Sequence, residues 1–232
     1  MSAADVESVE SPSNVAHGRV MAAIFVVLWC TGYPAGKFAV LHGAPFTILL
    51  LRFVFAALMF AALAWIARAA WPGWHALGHS AVVGLLSLAI SFGGVYEGLH
   101  LGVSAGVSAL FIGAMPLATA LLGVAIGERM RALQWLGLVL GFAGVVLVLQ
   151  GRFNGSHASA WGYVAGVVGL LGLSVGTLYQ KRHLTTIDLR IGLAAQHAAA
   201  ALAVLPIGAF VEHFRADGSA TYVAAVAWLV VV

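Results

Sequence analysis

Lys37, Arg52 and Glu97 are charged residues set inside long apolar segments. A charge at membrane depth that faces lipid near a helix centre costs about 2.5–3.5 kcal/mol, so such residues usually line a cavity or find a partner. Two cations and one anion carry a local charge of +1. Such a group suits the capture of a carboxylate or phosphate, with Glu97 limiting the repulsion between Lys37 and Arg52. Each residue also has a purely structural reading. Lys37 can snorkel to the membrane surface along its flexible stem, and Arg52 and Glu97 can form an ion pair. Arg52, about two helical turns from its segment's start, is the stronger single candidate for substrate contact.

Lys37 closes the stretch Trp29-Cys30-Thr31-Gly32-Tyr33-Pro34-Ala35-Gly36-Lys37. Two glycines and a proline weaken a helix there, and backbone weakened at membrane depth is tolerated where it borders a cavity. Trp29, Tyr33, Tyr96 and Gln180 are therefore further candidates for lining a substrate site, and Tyr179 is a weaker one. Gln196 and His197 are polar residues in a later apolar segment. They suit either the same site or an interhelical hydrogen bond, worth about 0.6 kcal/mol on average. For proton-coupled movement the candidate carriers are Glu97 and His197. Histidine titrates near neutrality in water, whereas a carboxylate does so only in a buried setting.

Other chemistry finds little support. His75 and His79 have the spacing of a helical metal pair, but no glutamate follows His75, and Trp71, Pro72 and Trp74 mark an interfacial loop. No metal site and no cofactor are expected. Neither a phosphate-binding glycine loop nor a G-x-S-x-G nucleophile turn occurs.

The elements that must position these residues follow from composition. The 232 residues are 62% hydrophobic and 8% charged, with a mean hydropathy of +1.02. Soluble domains carry about 25% charged residues, so the solvent of this chain is the lipid bilayer. The net charge of +3 forms no basic patch, and no nucleic-acid partner is expected. Cys30 is the single cysteine, so an intrachain disulfide is excluded.

Crossing a ~30 Å hydrocarbon core takes about 20 apolar residues as a helix. Seven segments meet this, near 20–41, 46–68, 80–99, 103–126, 132–150, 160–180 and 189–211. An eighth begins near Ala220 and reaches only Val232. Residues 1–18 are polar, contain Asp5, Glu7 and Glu10, and lack the basic start of a secretory signal. They read as a flexible tail before a retained first helix. With the N-terminus cytoplasmic, Arg19, Arg68, Arg129, Arg131, Lys181, Arg182 and Arg190 lie inside, and Arg152 and Arg215 outside. That bias follows the positive-inside rule and predicts a multi-pass protein of the plasma or inner membrane.

An internal echo accompanies these segments. Gly32 and Lys37 recur as Gly176 and Lys181, and Arg52 falls on Gln196 at the same offset. Five helices per copy is an odd number, so the second copy would be inverted, a transporter signature. The first repeat is placed at 19–151 and an incomplete second at 160–232. The expected fold is all-α integral membrane, an inverted repeat of five-helix bundles truncated after about seven and a half helices. Pairs such as Gly123/Gly127, Gly162/Gly166 and Gly172/Gly176, and the glycines between Gly137 and Gln150, suit close helix packing.

Several motifs match a known family. Pro45-Phe46 precedes Leu51-Arg52-Phe53, and Ser104-Ala105 leads to Pro116-Leu117. Gly127-Glu128-Arg129 precedes Gln134-Trp135-Leu136-Gly137, Gly141 and Gly144-Val145, and a second copy runs from Gly162 to Gln180-Lys181-Arg182. The chain resembles the drug/metabolite transporter superfamily, specifically its EamA-type domain, across most of residues 20–232. The resemblance implies ten helices in two inverted halves and export of small metabolites, amino acids among them, through a central cavity. The expected activity is secondary transport of a small polar metabolite by alternating access, in the direction of efflux, and not enzymatic catalysis. The alternatives are a non-transporting membrane fragment or assembly partner, and an integral-membrane enzyme acting on lipid. Protons as coupling ion and a homodimer both remain open at this point.

Overall fold

A computed structural model describes residues 12–153, 158–184 and 187–231. Eight helical rods account for nearly all of the described residues. They are α1 (Pro12–His42), α2 (Pro45–Ile66), α3 (Trp74–His100), α4 (Ala105–Ala125), α5 (Ala132–Phe153), α6 (Ala160–His183), α7 (Leu189–Val211) and α8 (Ala220–Val231). Six of them (α1 to α4, α6 and α7) are long and apolar enough to cross a membrane. The protein is an all-α integral membrane protein, because only helices and closed barrels satisfy every backbone polar group inside lipid.

The boundaries have local causes. Pro45 opens α2, where its missing N–H costs nothing. Ser104 and Ser159 cap α4 and α6, each accepting a backbone N–H at 3.3 Å. Pro116 interrupts α4 at Ala114. Gly102 and Gly127 take φ of 98° and 93° in the turns that leave α3 and α4, a region that side chains disfavour.

Three expectations change. The tail read as residues 1–18 overlaps α1, which starts at Pro12, while residues 1–11 lie outside the described residues. The stretch Trp29–Lys37 stays helical throughout, Pro34 included. α3 begins at Trp74, so His75 and His79 sit on a helix and not in a loop. There His79 Nδ1 lies 2.7 Å from the Tyr179 hydroxyl, and its ring stacks on His183 at 5.0 Å.

A close backbone contact joins α3 to α6. Backbone approaches backbone there because glycines face each other. A Cβ on Gly169 would sit 2.7 Å from the Ser91 carbonyl oxygen, and one on Gly98 would sit 3.0 Å from that of Gly162. Close approach of this kind maximises van der Waals contact where lipid supplies no hydrophobic drive. By contrast, Gly137 and Gly144 of α5 meet nothing within 4 Å. They do not serve the packing expected of them among the described residues.

α3 contains a π-helical stretch, Gly84–Ile90, where Gly84 receives the backbone of Gln196 from α7. α2 packs along α7, α1 along α8, and α3 against both α6 and α7. Exchanging each helix with the one five positions away maps α1–α8 onto α3–α6 and α2–α8 onto α3–α7, and leaves α2–α7 in place. The buried core lies where these helices meet, with Ile48, Leu49 and Phe53 of α2, Leu99 of α3, Ala200 of α7 and Leu229 of α8 all shielded.

Candidate functional site

Arg52 stands seven residues into α2, about 10 Å along the helix from Pro45. Its position on the helix turns it inward, beside the buried Phe53 and toward α3. The guanidinium lies over the Phe92 ring, 4.5 Å from the centroid. Its Nη1 points at the Tyr96 hydroxyl, 3.5 Å away. Phe92 and Tyr96 are one helical turn apart, so one face of α3 presents both. Tyr96 itself is only 3% exposed. Its ring fits because Gly36 of α1 has no side chain, and a Cβ there would stand 3.3 Å from the tyrosine oxygen.

A small cavity of about 30 Å³ opens beside Arg52, bordered by Trp29, Gly32 and Tyr33 of α1 and by Phe92, Tyr96 and Leu99 of α3. A second space of about 230 Å³ shares Trp29, Arg52 and Phe92 and extends to Phe60, His197 and Leu229. The first is far smaller than a small-molecule site of roughly 300–1,000 Å³, and the second lies just under that range. Trp228 of α8 donates its indole N–H to Thr31 at 2.9 Å and ties α8 to the α1 stretch that borders the cavity.

The electrostatics of this site are one-sided. Among the described residues the ion pairs are His42–Asp217 and Lys181–Glu128. Arg52 belongs to neither. Its partners are a neutral hydroxyl and an aromatic face, and a cation–π contact is worth about 0.5–2 kcal/mol. A guanidinium without an acidic side-chain partner among the described residues, facing apolar and aromatic walls, can receive a carboxylate through two parallel charge-assisted hydrogen bonds.

The expected trio of charges does not assemble. Lys37 turns away from the cavity, and its ammonium donates to the Leu99 carbonyl at 2.6 Å and the Val103 carbonyl at 3.3 Å. These oxygens lie in the last turn of α3 and in the turn just beyond it, where a cation also meets the negative pole of the helix. Lys37 is thus a C-terminal cap delivered from another helix. Lys37→Met is expected to lower the heat stability of the bundle by about 1 kcal/mol and to affect transport less than any change at Arg52. A thermal melt beside an uptake assay checks this.

Glu97 is partly exposed on α3 and forms no ion pair with Lys37 or Arg52 among the described residues. Its position one residue past Tyr96 rotates it about 100° from the cavity face. Gln180 is exposed near the end of α6, beside Tyr179. Tyr179 meets His79 near the start of α3, whereas Tyr96 lies near its other end, so Gln180 is remote from Arg52. Gln196 is buried where its backbone meets Gly84. It does not border either cavity, although its neighbour His197 does. The His197 Nδ1 is 2.8 Å from the Leu193 carbonyl, and its ring meets Phe53 and Phe60 at 6.0 and 5.5 Å.

Two contributors escaped sequence reasoning. Phe92 was legible in principle, since it precedes Tyr96 by one turn. Glu212 carried no such signal. It follows the last residue of α7, is 6% exposed, and accepts from the Phe46 N–H at 2.9 Å and from the Thr47 N–H and hydroxyl at 2.7 and 2.9 Å. It therefore caps α2, the helix that carries Arg52, from 165 residues away. Just beyond it His42 meets Asp217 at 2.6 Å. The Asp217 carboxyl is held below the usual carboxylate range, first by the Ser219 backbone N–H at 2.9 Å and to a lesser degree by His42. Its contribution is complete above the ordinary carboxylate pKa of about 3.9 and fades only as pH falls through the lower folded value.

A bundle with six helices long and apolar enough to cross a membrane defines a multi-pass membrane protein. The chain belongs to the EamA-like transporter family, whose sequence profile matches residues 17–150. The match ends within α5. Relatives extend the similarity further along the chain. The uncharacterized inner membrane transporter YedA of Escherichia coli (strain K12) is 26% identical over 169 residues, covering 73% of this chain and 53% of that protein. A probable amino-acid metabolite efflux pump of the same organism is 25% identical over 205 residues, covering 88% of this chain and 66% of the pump. An uncharacterized transporter, YvbV, of Bacillus subtilis is 25% identical over 207 residues, covering 85% of this chain and 64% of that protein. The chain thus spans about half to two thirds of the length of these relatives.

Proposed function

We propose that this protein is a secondary transporter of the inner membrane that exports a small polar metabolite bearing a carboxylate, of the amino-acid class, by alternating access. The observation that carries the reading is Arg52, a cation without an acidic partner among the described residues, aimed into a cavity walled by Trp29, Tyr33, Phe92 and Tyr96. Family membership and the relative named as a probable amino-acid metabolite efflux pump support the same class.

In this reading the substrate carboxylate docks on the guanidinium, and the aromatic rings enclose the remainder. The pairing of helices five positions apart supports two inverted repeats meeting at α2 and α7. The Pro45 end of the bundle faces outward, as the lysine and arginine bias assigns. His197, which borders the Arg52 cavity, is the better-placed proton carrier, and Glu97 is set aside from it.

The test is efflux from vesicles holding the protein, against a panel of amino acids and their decarboxylated amines. An amino acid should move faster than its matching amine by tenfold or more. Equal rates for the two would remove the carboxylate from the recognition scheme, and no movement of any panel member would remove the substrate class.

A further inference from the structure

The segment that follows α7 crosses from the second half of the chain to the hairpin between α1 and α2. Glu212 takes both free N–H groups at the start of α2 together with the Thr47 hydroxyl. Ala44 donates its N–H to the Arg215 carbonyl at 2.9 Å, and Gly43 pairs with Ala216 as an isolated antiparallel bridge. The Asp217 N–H returns to the His42 carbonyl at 2.9 Å, and the His42 ring holds the Asp217 carboxylate. Five positions of the hairpin and the start of α2 (42, 43, 44, 46 and 47) are thereby held by residues 212–217.

This strap is built under strain. His213 and Phe214 are consecutive non-glycine residues with φ of 53° and 51°. Side chains disfavour this region, and such backbone persists only where surrounding contacts over-determine it. The Glu212 hydrogen bonds on one side and the Ala216 bridge on the other supply those contacts. Parting of the flanking contacts would let these two residues relax.

We infer that residues 212–217 form a gate strap latched by Glu212, closing the Pro45 end of the Arg52 cavity and fixing the start of α2. The inference rests on the alternating-access reading above, because contacts between the two halves at one end must part when that end opens. Glu212 is in this scheme a positioning residue: it touches no substrate, and it acts on Arg52 through α2.

Two arms test the strap. In a Cys30→Ser background, His42→Cys and Asp217→Cys are joined by a short bis-methanethiosulfonate, each thiolate displacing a methanesulfinate to form a reducible disulfide. Amino-acid efflux should fall at least tenfold on joining and recover on reduction. Full efflux by the joined protein would overturn the gate. The second arm needs no transport. Hydrogen exchange at the Phe46 and Thr47 amides should quicken at least tenfold in Glu212→Gln, with the α3–α6 interface unchanged. Unaltered exchange at those two amides would overturn the latch. If the unjoined protein moves no panel member, the transport reading fails while exchange still decides the strap.

Discussion

Arg52→Ala lowers efflux of a carboxylate-bearing substrate by at least a hundredfold and leaves the bundle as heat-stable as the wild type or more so. The two halves of this expectation have separate causes. Transport falls because two charge-assisted hydrogen bonds to the substrate vanish, each worth about 1.5–3 kcal/mol, and every 1.4 kcal/mol is about tenfold in affinity. Stability holds because the guanidinium has no salt bridge to lose among the described residues. It forfeits the contact with Phe92, worth about 0.5–2 kcal/mol. It also relieves the cost of a lone cation at membrane depth, about 2.5–3.5 kcal/mol near a helix centre.

Arg52→Lys should fall between the two proteins, since an ammonium keeps the charge and loses the planar fork. Efflux rates in vesicles and a thermal melt in detergent make the measurement. A variant that melts many degrees lower would assign Arg52 a structural task, and one that transports normally would empty the proposed site.

The second large effect concerns the α3–α6 seam. Gly94→Ala is expected to lower bundle stability by about 3 kcal/mol, the upper range for overpacking. The added methyl would stand 2.7 Å from the Gly169 backbone nitrogen and nearer still to the Ala165 carbonyl. Both are main-chain atoms of α6, so no side chain can swing aside and the helices must separate. Separation would lift Gly98 from Gly162 and Ser91 from Gly169 along the same seam.

Gly137→Ala is the matched control. That glycine sits in α5 with nothing within 4 Å. Alanine there improves helix propensity by up to about 1 kcal/mol. Thermal melts of the two variants should therefore move in opposite directions. Equal shifts would mean that the seam is loose and that glycine content, not contact, governs α3 and α6.

Much of the architecture was legible in the residue order. Eight apolar runs became eight helices, and Pro45, Gly102 and Gly127 marked where the chain turns. The reasons are local: helix length is set by apolar run length, proline removes a donor, and glycine tolerates positive φ. The apolar segments also marked Arg52 as costly wherever it faced lipid, and Trp29, Tyr33 and Tyr96 as its company. These residues do border one cavity.

What hydropathy could not convey is the direction each side chain takes around its helix. A soluble helix reveals its buried face because the other face must be polar. Here lipid and core are both apolar, so that contrast is weak. Lys37 and Glu97 therefore looked like partners of Arg52, although one caps α3 and the other lies about 100° off the cavity face. Gln180 fell at the far end of the bundle for a similar reason, since sequence does not say which levels of two helices meet.

Residue order alone thus determined an all-helical membrane chain with a cation in a costly place. Tertiary structure alone decided that Arg52 has aromatic walls and no anion among the described residues, and that Glu212 holds the start of its helix from 165 residues away. The physical reason is that hydrogen bonds and charge pairs between distant segments depend on helix rotation and depth, which packing sets and local propensity does not encode.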